Sequence, residues 1–562
     1  MLQIQDAKKE SSWMIDRIMS AGCLLVLLAA LALHWRVAAV LLDSSLHDDQ
    51  IKHFTSGVMV YDYLRTGLGS NPIHFAEDFE VRYPEVAIGH WPPMYYAIQA
   101  IYYLAAGPTI QSARILSAIT AAFLAVLLFV RAAQHAGMGI GLISAAIFLS
   151  EPLVQTAAWQ VMSDLLTALF VFLAIRELSR FLEDNHSSTA AIGFAVWATA
   201  AILTKGSAWA LGPFALLAPL LARRTHCFRS MRYWAFGLIV VALSAPFYLL
   251  AQHLGFGYRG NYSHIASPAV SLTERIFNLA PLVNFAPVLL LGLSALGLAD
   301  AIYARWFRDD ESSWTTLSLV AAAWIVAQVI FLFFLPLTSE PRVLMPSIAP
   351  VSLLAARSLL WAKHLLRHWA LVAAASPVAI GVLFVASAGA VPLERFDGYR
   401  EAAAAMPYAE DGSLIFAAVE RLPGGGDGSL IAERLSHDRL HKDVILRADH
   451  VLLQVDDEGN CQTRLDGVDA VRSYLLQMPV RFAVLGGPTD PCGYQPVIDK
   501  AVAGDPGDFH LIATVPIVER GEGQFDLIRI YENPAARTRH PSVVRTPMGL
   551  DGGSRVLAYR WR

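Results

Sequence analysis

Long apolar runs separated by short polar breaks fill most of the chain up to Val391. Runs near 18–42, 113–132, 138–153, 163–182, 189–204, 207–222, 232–253, 279–303, 313–336, 343–361 and 368–391 each approach the roughly 20 residues that a helix needs to cross a hydrocarbon core. The pattern predicts about eleven membrane spans, with up to about thirteen allowed. The stretch 189–222 fits either two short spans or one re-entrant pair. The first run exceeds the core of a signal peptide and is followed by no small-residue cleavage site, so it reads as a spanning helix. After Val391 the pattern changes. Short apolar strands at 413–419, 444–448, 480–486, 509–515 and 525–531 alternate with polar helical stretches such as 469–478, which predicts a small α/β domain with a largely parallel sheet. The expected organisation is a membrane domain over 1–391, an α/β domain over 392–533, and a Pro/Arg-rich tail of little periodicity over 534–562.

Charge orients this arrangement. Lys8, Lys9, Arg17, Arg131, Arg180, Arg223, Arg224, Arg229, Arg232, Arg305, Arg308, Lys363 and Arg367 fall on one side of the predicted spans, whereas the opposite loops hold Lys205, Arg259, Arg275 and Arg342. Basic residues collect on the cytoplasmic side, so the N-terminus is expected inside and the α/β domain outside, as in a multi-pass protein of a bacterial-type cytoplasmic membrane. The run WPPMYYAIQAIYYLAAG at 91–107 breaks the pattern. Counted as a span it would invert every later loop, so it is expected to lie at the interface within a first outer loop of about 43–112, where Trp91 and the tyrosines suit the depth.

Composition agrees. The 562 residues are 55% hydrophobic and only 16% charged, against roughly 25% charged in a typical soluble protein. The net charge of −4, with no basic patch, points away from nucleic acid. Four cysteines make no CxxC motif, and Cys461 and Cys492 could pair if their region is extracytoplasmic.

The residues able to carry chemistry cluster in the predicted outer loops. Asp48 and Asp49, in HDDQ, are either solvated loop residues or carboxylates at the depth of a lipid phosphate, where one could serve as a general base. His90, in GHWPPMYY, could ligate a metal, bond to a substrate or cap the helix that the Pro-Pro pair opens. Asp164 either caps its helix with Ser163 or acts as a second acid. Lys205, in LTKG, stands where basic residues are avoided, so it is expected to meet an anion, either a lipid phosphate or Asp164. Glu340 and Arg342, in SEPRVLMP, are interface anchors or a phosphate contact, for which the arginine fork is suited. The glycine cluster PGGGDGS at 423–429 could hold an anion or form a plain turn. No GxxxxGK[ST], HExxH or GxSxG is present.

The order of these motifs carries a resemblance. An acidic pair follows the first span, HWPPMYY comes late in a long first loop, and ARILSAI opens the second span at Ala113–Ile119. SDLLTALFVFLA, ILTKGSAWAL and EPRVLMPSIAP then follow. Over about residues 18–361 this resembles the GT-C superfamily, specifically the protein O-mannosyltransferase and lipid A aminoarabinose transferase group. The resemblance implies a GT-C fold, Asp48 or Asp49 as catalytic base, and Lys205 and Arg342 on the phosphate of a lipid carrier. The chain departs from the group in having Asp-Asp for the usual Asp-Glu, and Val343 where tyrosine follows the arginine. It also lacks the β-trefoil insert of the eukaryotic mannosyltransferases, which points to a bacterial-type enzyme.

The expected function is an inverting glycosyltransferase that takes a sugar from a polyprenyl-phosphate carrier and passes it to a lipid, glycan or protein. It is expected to need no cofactor beyond a possible divalent metal. Two alternatives are a polytopic transporter, which tends to show repeated halves and mid-membrane polar groups, and a non-enzymatic envelope-assembly protein.

Overall fold

A computed structural model describes residues 17, 19–35, 44–254, 272–282, 286–334, 340–365, 395–419, 425–438, 440–455, 461–487, 493–505, 507–520, 525–547 and 556–561. The predicted span 368–391, the end of the first run at 36–42, Arg259 and the partner cysteine Cys492 lie outside these residues. By contacts the chain divides into a helical unit (1–38, 91–95, 115–392) and a second unit (39–90, 96–114, 393–562).

Among the described residues of the helical unit the apolar runs become helices. Five of them, Ile110–Ala136, Met231–Ala251, Val288–Phe307, Ser313–Phe334 and Pro341–Leu360, are long and apolar enough to cross a membrane among the described residues. Shorter apolar helices occupy Met19–Trp35, Met138–Ser150, Ser188–Ile202 and Gly206–Leu221. By the length and composition of its helices the chain is an integral membrane protein. The stretch 189–222 forms two helices joined by a turn at Leu203–Lys205. The helix expected from 279 begins only at Val288, because Pro287 immediately precedes its first turn and residues 280–282 form a separate short turn. The helix Asp164–Glu183 carries too many charges to rank with the apolar five, yet nearly all of it is buried. Its neighbours Ser188–Ile202, Ser313–Phe334 and Met345–Leu365 surround it, and its Glu177 is paired with Arg176 and Arg180. Gly297 of Val288–Phe307 lies so close to the Leu354 backbone that no Cβ would fit. The same contact is tied by Ser294 Oγ donating to the Val351 carbonyl at 2.9 Å.

Among the described residues the second unit has ten strands, β1 Arg395–Asp397, β2 Leu414–Ala418, β3 Val444–Arg447, β4 Leu453–Val455, β5 Cys461–Thr463, β6 Phe482–Gly486, β7 His510–Arg520, β8 Phe525–Glu532, β9 Val543–Pro547 and β10 Val556–Arg560. Six of them form one sheet in the order β1-β7-β8-β6-β2-β3. All five strands expected from the sequence are in it. The sheet is mixed rather than largely parallel: β3, β2 and β6 run parallel, but β6–β8, β8–β7 and β7–β1 are antiparallel. The connection from β7 to β8 is too short for a crossover helix, so those two strands can only form a hairpin. Within 534–562, β9 and β10 pair antiparallel.

Most of the first loop, residues 44–90 and 96–112, belongs to this unit. Within the loop run the helices Asp49–Asp62, Pro72–Arg82 and Met94–Ala106. Val81 of Pro72–Arg82 sits in one hydrophobic cluster with Phe416, Leu446, Val484's neighbours Ala483 and Leu485, and Leu557. Tyr83 is fully buried and its hydroxyl donates to Asp438 Oδ2 at 2.9 Å. Arg82 donates to the His441 carbonyl at 2.6 Å, and His441 Nδ1 lies 2.7 Å from Asp62 Oδ2.

Candidate functional site

Asp48 stands immediately before the helix Asp49–Asp62, with a positive φ of 50° that non-glycine residues seldom adopt. Its side chain is 84% exposed, and one carboxylate oxygen lies 3.1 Å from His47 Nδ1. Asp49 is half-buried in the helix's first turn, where a carboxylate faces the positive end of the helix dipole. The two acids therefore differ in backbone, exposure and surroundings. Behind them the helix is buried. His53 Nδ1 is 3.0 Å from the Tyr96 hydroxyl, and Phe54 and Tyr61 both pack edge-on against Tyr103. Gly57 lets Gln99 approach where a side chain would collide.

His90 ends a turn with its backbone N–H donating to the Ala87 carbonyl at 3.3 Å, and it is half-buried. The Pro-Pro pair that follows does precede a helix, which starts at Met94. In the helical unit, the Met94 N–H donates to the Leu203 carbonyl at 2.9 Å, beside the LTKG turn.

Lys205 meets Asp164: Nζ to Oδ1 is 2.6 Å, and the aspartate is only 2% exposed. Of the two anions the sequence left open, the described contacts hold the protein's own. Asp164 opens its helix, but Ser163 makes no side-chain cap there. Glu340 and Arg342 form an ion pair with each other, with a further Arg342 Nη2 to Glu340 Oε1 contact at 3.3 Å, and Arg342 also touches Met162 Sδ at 3.7 Å. The structure thus brings together Asp164 with Lys205, and Glu340 with Arg342.

A set of buried carboxylates in the first loop escaped the sequence reading. Glu80 accepts from the Val86 N–H at 2.8 Å, and burial pushes its carboxyl well above the usual range. Glu85 is likewise raised by burial and pairs with Arg447, which also binds Asp449 at 2.7 Å. The partners are 362 positions apart in sequence, and no local pattern marks such a pair. Among the described residues no group of three or more His, Cys, Asp or Glu is placed to hold a metal ion.

Residues 90–249 match the family model for dolichyl-phosphate-mannose-protein mannosyltransferase. No curated protein matches the chain by sequence. Among solved structures, ArnT from Cupriavidus metallidurans in the apo state is 14% identical, with a TM-score of 0.51 over 93% of this chain and 98% of its own. The same protein bound to undecaprenyl phosphate matches at 13% identity and TM-score 0.51, over 92% of this chain and 98% of its own. The archaeal oligosaccharyltransferase AglB from Archaeoglobus fulgidus, in complex with an inhibitory peptide and a dolichol-phosphate, matches at 11% identity and TM-score 0.51, over 94% of this chain and 75% of its own. The chain therefore shares the fold of the ArnT and AglB structures, and its residues 90–249 resemble the dolichyl-phosphate-mannose-protein mannosyltransferases.

Proposed function

We propose that the chain is a membrane glycosyltransferase that moves a sugar from a polyprenyl-phosphate carrier to a lipid, glycan or protein acceptor on the outer face of a bacterial-type membrane. The observation that most supports this is the acid pair. Asp48 is an exposed carboxylate held in a strained backbone at the head of a buried helix, and such strain collects at functional sites. The lipid phosphates named in the ArnT and AglB complexes support the class of donor.

In this reading Asp48 is the general base. It takes the proton of the acceptor's nucleophile as that atom bonds to the anomeric carbon. The bond from that carbon to the phosphate oxygen breaks, and the polyprenyl phosphate leaves with the electron pair, inverting the anomeric centre. Asp49 stabilises the turn or binds a donor hydroxyl, and His90 donates a hydrogen bond to substrate. Lys205 and Arg342 neutralise the carrier phosphate. An ammonium has three donors, of which Asp164 takes one, and Glu340 aims the Arg342 fork.

The test is a transfer assay on the full-length protein in lipid nanodiscs, with a panel of polyprenyl-phosphate sugars and release of polyprenyl phosphate as readout. Transfer by the wild-type protein and its loss in a folded Asp48→Asn variant are expected. Retained transfer in both Asp48→Asn and Asp49→Asn would overturn the assignment. Movement of a solute with no glycosidic bond made would mark a transporter instead.

A further inference from the structure

The turn that carries the acid pair is held from outside its own loop. The Ser45 N–H donates to the Phe396 carbonyl at 2.9 Å, and the Phe396 N–H donates to Ser44 Oγ at 3.1 Å, so residues 44–45 run beside β1. Ser45 Oγ donates to Glu433 Oε1 at 2.9 Å. Ser429 Oγ donates to the Leu46 carbonyl at 2.6 Å, across 383 positions of sequence. The His47 ring packs on the Phe396 ring with centroids 5.3 Å apart. Ser44, Ser45, Leu46, Ser429 and Glu433 are all buried.

The helix Gly426–His437 supplies both buried side-chain contacts, from Ser429 and Glu433, beside the three made by Phe396 of β1, and the glycines at its head let it come close. Gly425, at φ 102°, lies where a Cβ would be 2.9 Å from Ile51 Cδ1 and 3.6 Å from the Asp48 nitrogen. A Cβ on Gly428 would be 3.0 Å from Ile51 Cδ1 and 3.2 Å from Glu85 Oε1. The glycine cluster thus serves close approach to the acid-bearing helix. An aspartate at positive φ costs about 1–3 kcal/mol and persists only where its surroundings over-determine it. Here those surroundings include the buried serine and glutamate contacts.

We propose that the helix Gly426–His437 is the positioning element for the acid pair, with Ser429 and Glu433 as positioning residues that hold Leu46 and Ser45 and so set where Asp48 and Asp49 point. This gives the C-terminal α/β domain a role in the reaction without a ligand of its own. It rests on the reading of one of those acids as the base. A base displaced by about 1 Å can lose as much as 10²-fold in rate while substrate binding elsewhere is unaffected.

The experiment uses full-length protein in nanodiscs and the variants Ser429→Ala, Glu433→Ala and Glu433→Gln. It reads kcat, the KM for the polyprenyl-phosphate sugar, and hydrogen exchange at the amides of residues 45–51. For Ser429→Ala and Glu433→Ala, kcat should fall about tenfold with KM within about twofold of wild type, and the 45–51 amides should exchange faster while those of β6 do not. Glu433→Gln keeps an acceptor for Ser45 and should restore kcat. An unchanged kcat in both alanine variants of an active enzyme would overturn the positioning role and leave the glycosyltransferase reading standing. A wild-type protein that transfers no sugar, with 45–51 loosened in Ser429→Ala, would overturn that reading and leave the anchoring of the turn standing. Unchanged exchange in both alanine variants would overturn the anchoring itself.

Discussion

Lys205 and Asp164 are an ion pair, with Nζ 2.6 Å from Oδ1 and the aspartate 2% exposed. The lysine sits in the turn between two short helices and the aspartate at the head of the buried helix Asp164–Glu183. Breaking a buried pair by removing one partner costs about 3–5 kcal/mol, whereas replacing both by apolar residues is often neutral. Lys205→Ala is expected to lower the unfolding temperature in detergent, and Lys205→Met with Asp164→Leu to restore it. Donor affinity separates the two roles. If the double variant recovers stability yet binds the polyprenyl-phosphate sugar weakly, the lysine serves phosphate as well as its partner; full recovery of affinity makes the pair structural only.

Arg342 is part exposed and paired with the more exposed Glu340. Such a pair contributes roughly 0–1 kcal/mol to stability, so Arg342→Ala should unfold at close to the wild-type temperature. A lost charge-assisted contact to phosphate is worth about 1.5–3 kcal/mol, which is about ten- to a hundredfold in donor dissociation constant. Equal donor affinity in Arg342→Ala and wild type, by titration calorimetry, would remove Arg342 from the phosphate site.

Asp48 and Asp49 should be unequal. Loss of a general base costs about 10²–10⁴ in rate, so Asp48→Asn is expected to lose kcat by that factor, with Asp49→Asn losing less. Single-turnover transfer rates in nanodiscs measure this directly. The reverse ranking would move the base to the half-buried carboxylate in the helix's first turn.

Burial raises the Glu433 carboxyl to about 7, with the Ser45 hydrogen bond opposing the shift. The folded state therefore holds a proton between about pH 4.5 and 7 that the unfolded state releases. Its contribution to stability is full below that window, falls as pH rises through it, and is gone above about 7. Glu433→Gln cannot ionise, so its unfolding temperature should fall less than wild type across the same window. Parallel profiles would show that the carboxyl is ionised throughout.

Arg434 is wholly buried, with Nε 2.6 Å from Asp443 Oδ2 and Nη1 donating to the carbonyls of Ala403, at 3.0 Å, and Met406. Arg434→Ala leaves the buried Asp443 carboxylate without its cation, at a cost of about 3–5 kcal/mol. Limited proteolysis should cleave the 393–562 region of this variant far faster than that of wild type. Wild-type resistance would contradict the buried network.

Several features were legible from residue order alone. Apolar runs of spanning length become helices because a backbone in hydrocarbon must satisfy its own hydrogen bonds, and that rule needs no partner. Five strands of the α/β domain were legible for a similar reason: each is a short run of β-branched and apolar residues between polar breaks, as in Val444–Arg447. The local chemistry of Asp48, Asp49, Lys205 and Arg342 was visible as charged residues beside spans.

Tertiary structure decided what depends on partners far apart in sequence. The sheet is mixed because β8 inserts between β6 and β7, a choice made by packing after the strands exist. The anion beside Lys205 is Asp164, 41 positions away, and the hydroxyl that holds Leu46 comes from Ser429, 383 positions away. Short-range patterns report how a segment satisfies its own backbone and which face it buries. They hold no record of which distant side chain fills a buried hydrogen bond, because that is selected only when the elements pack.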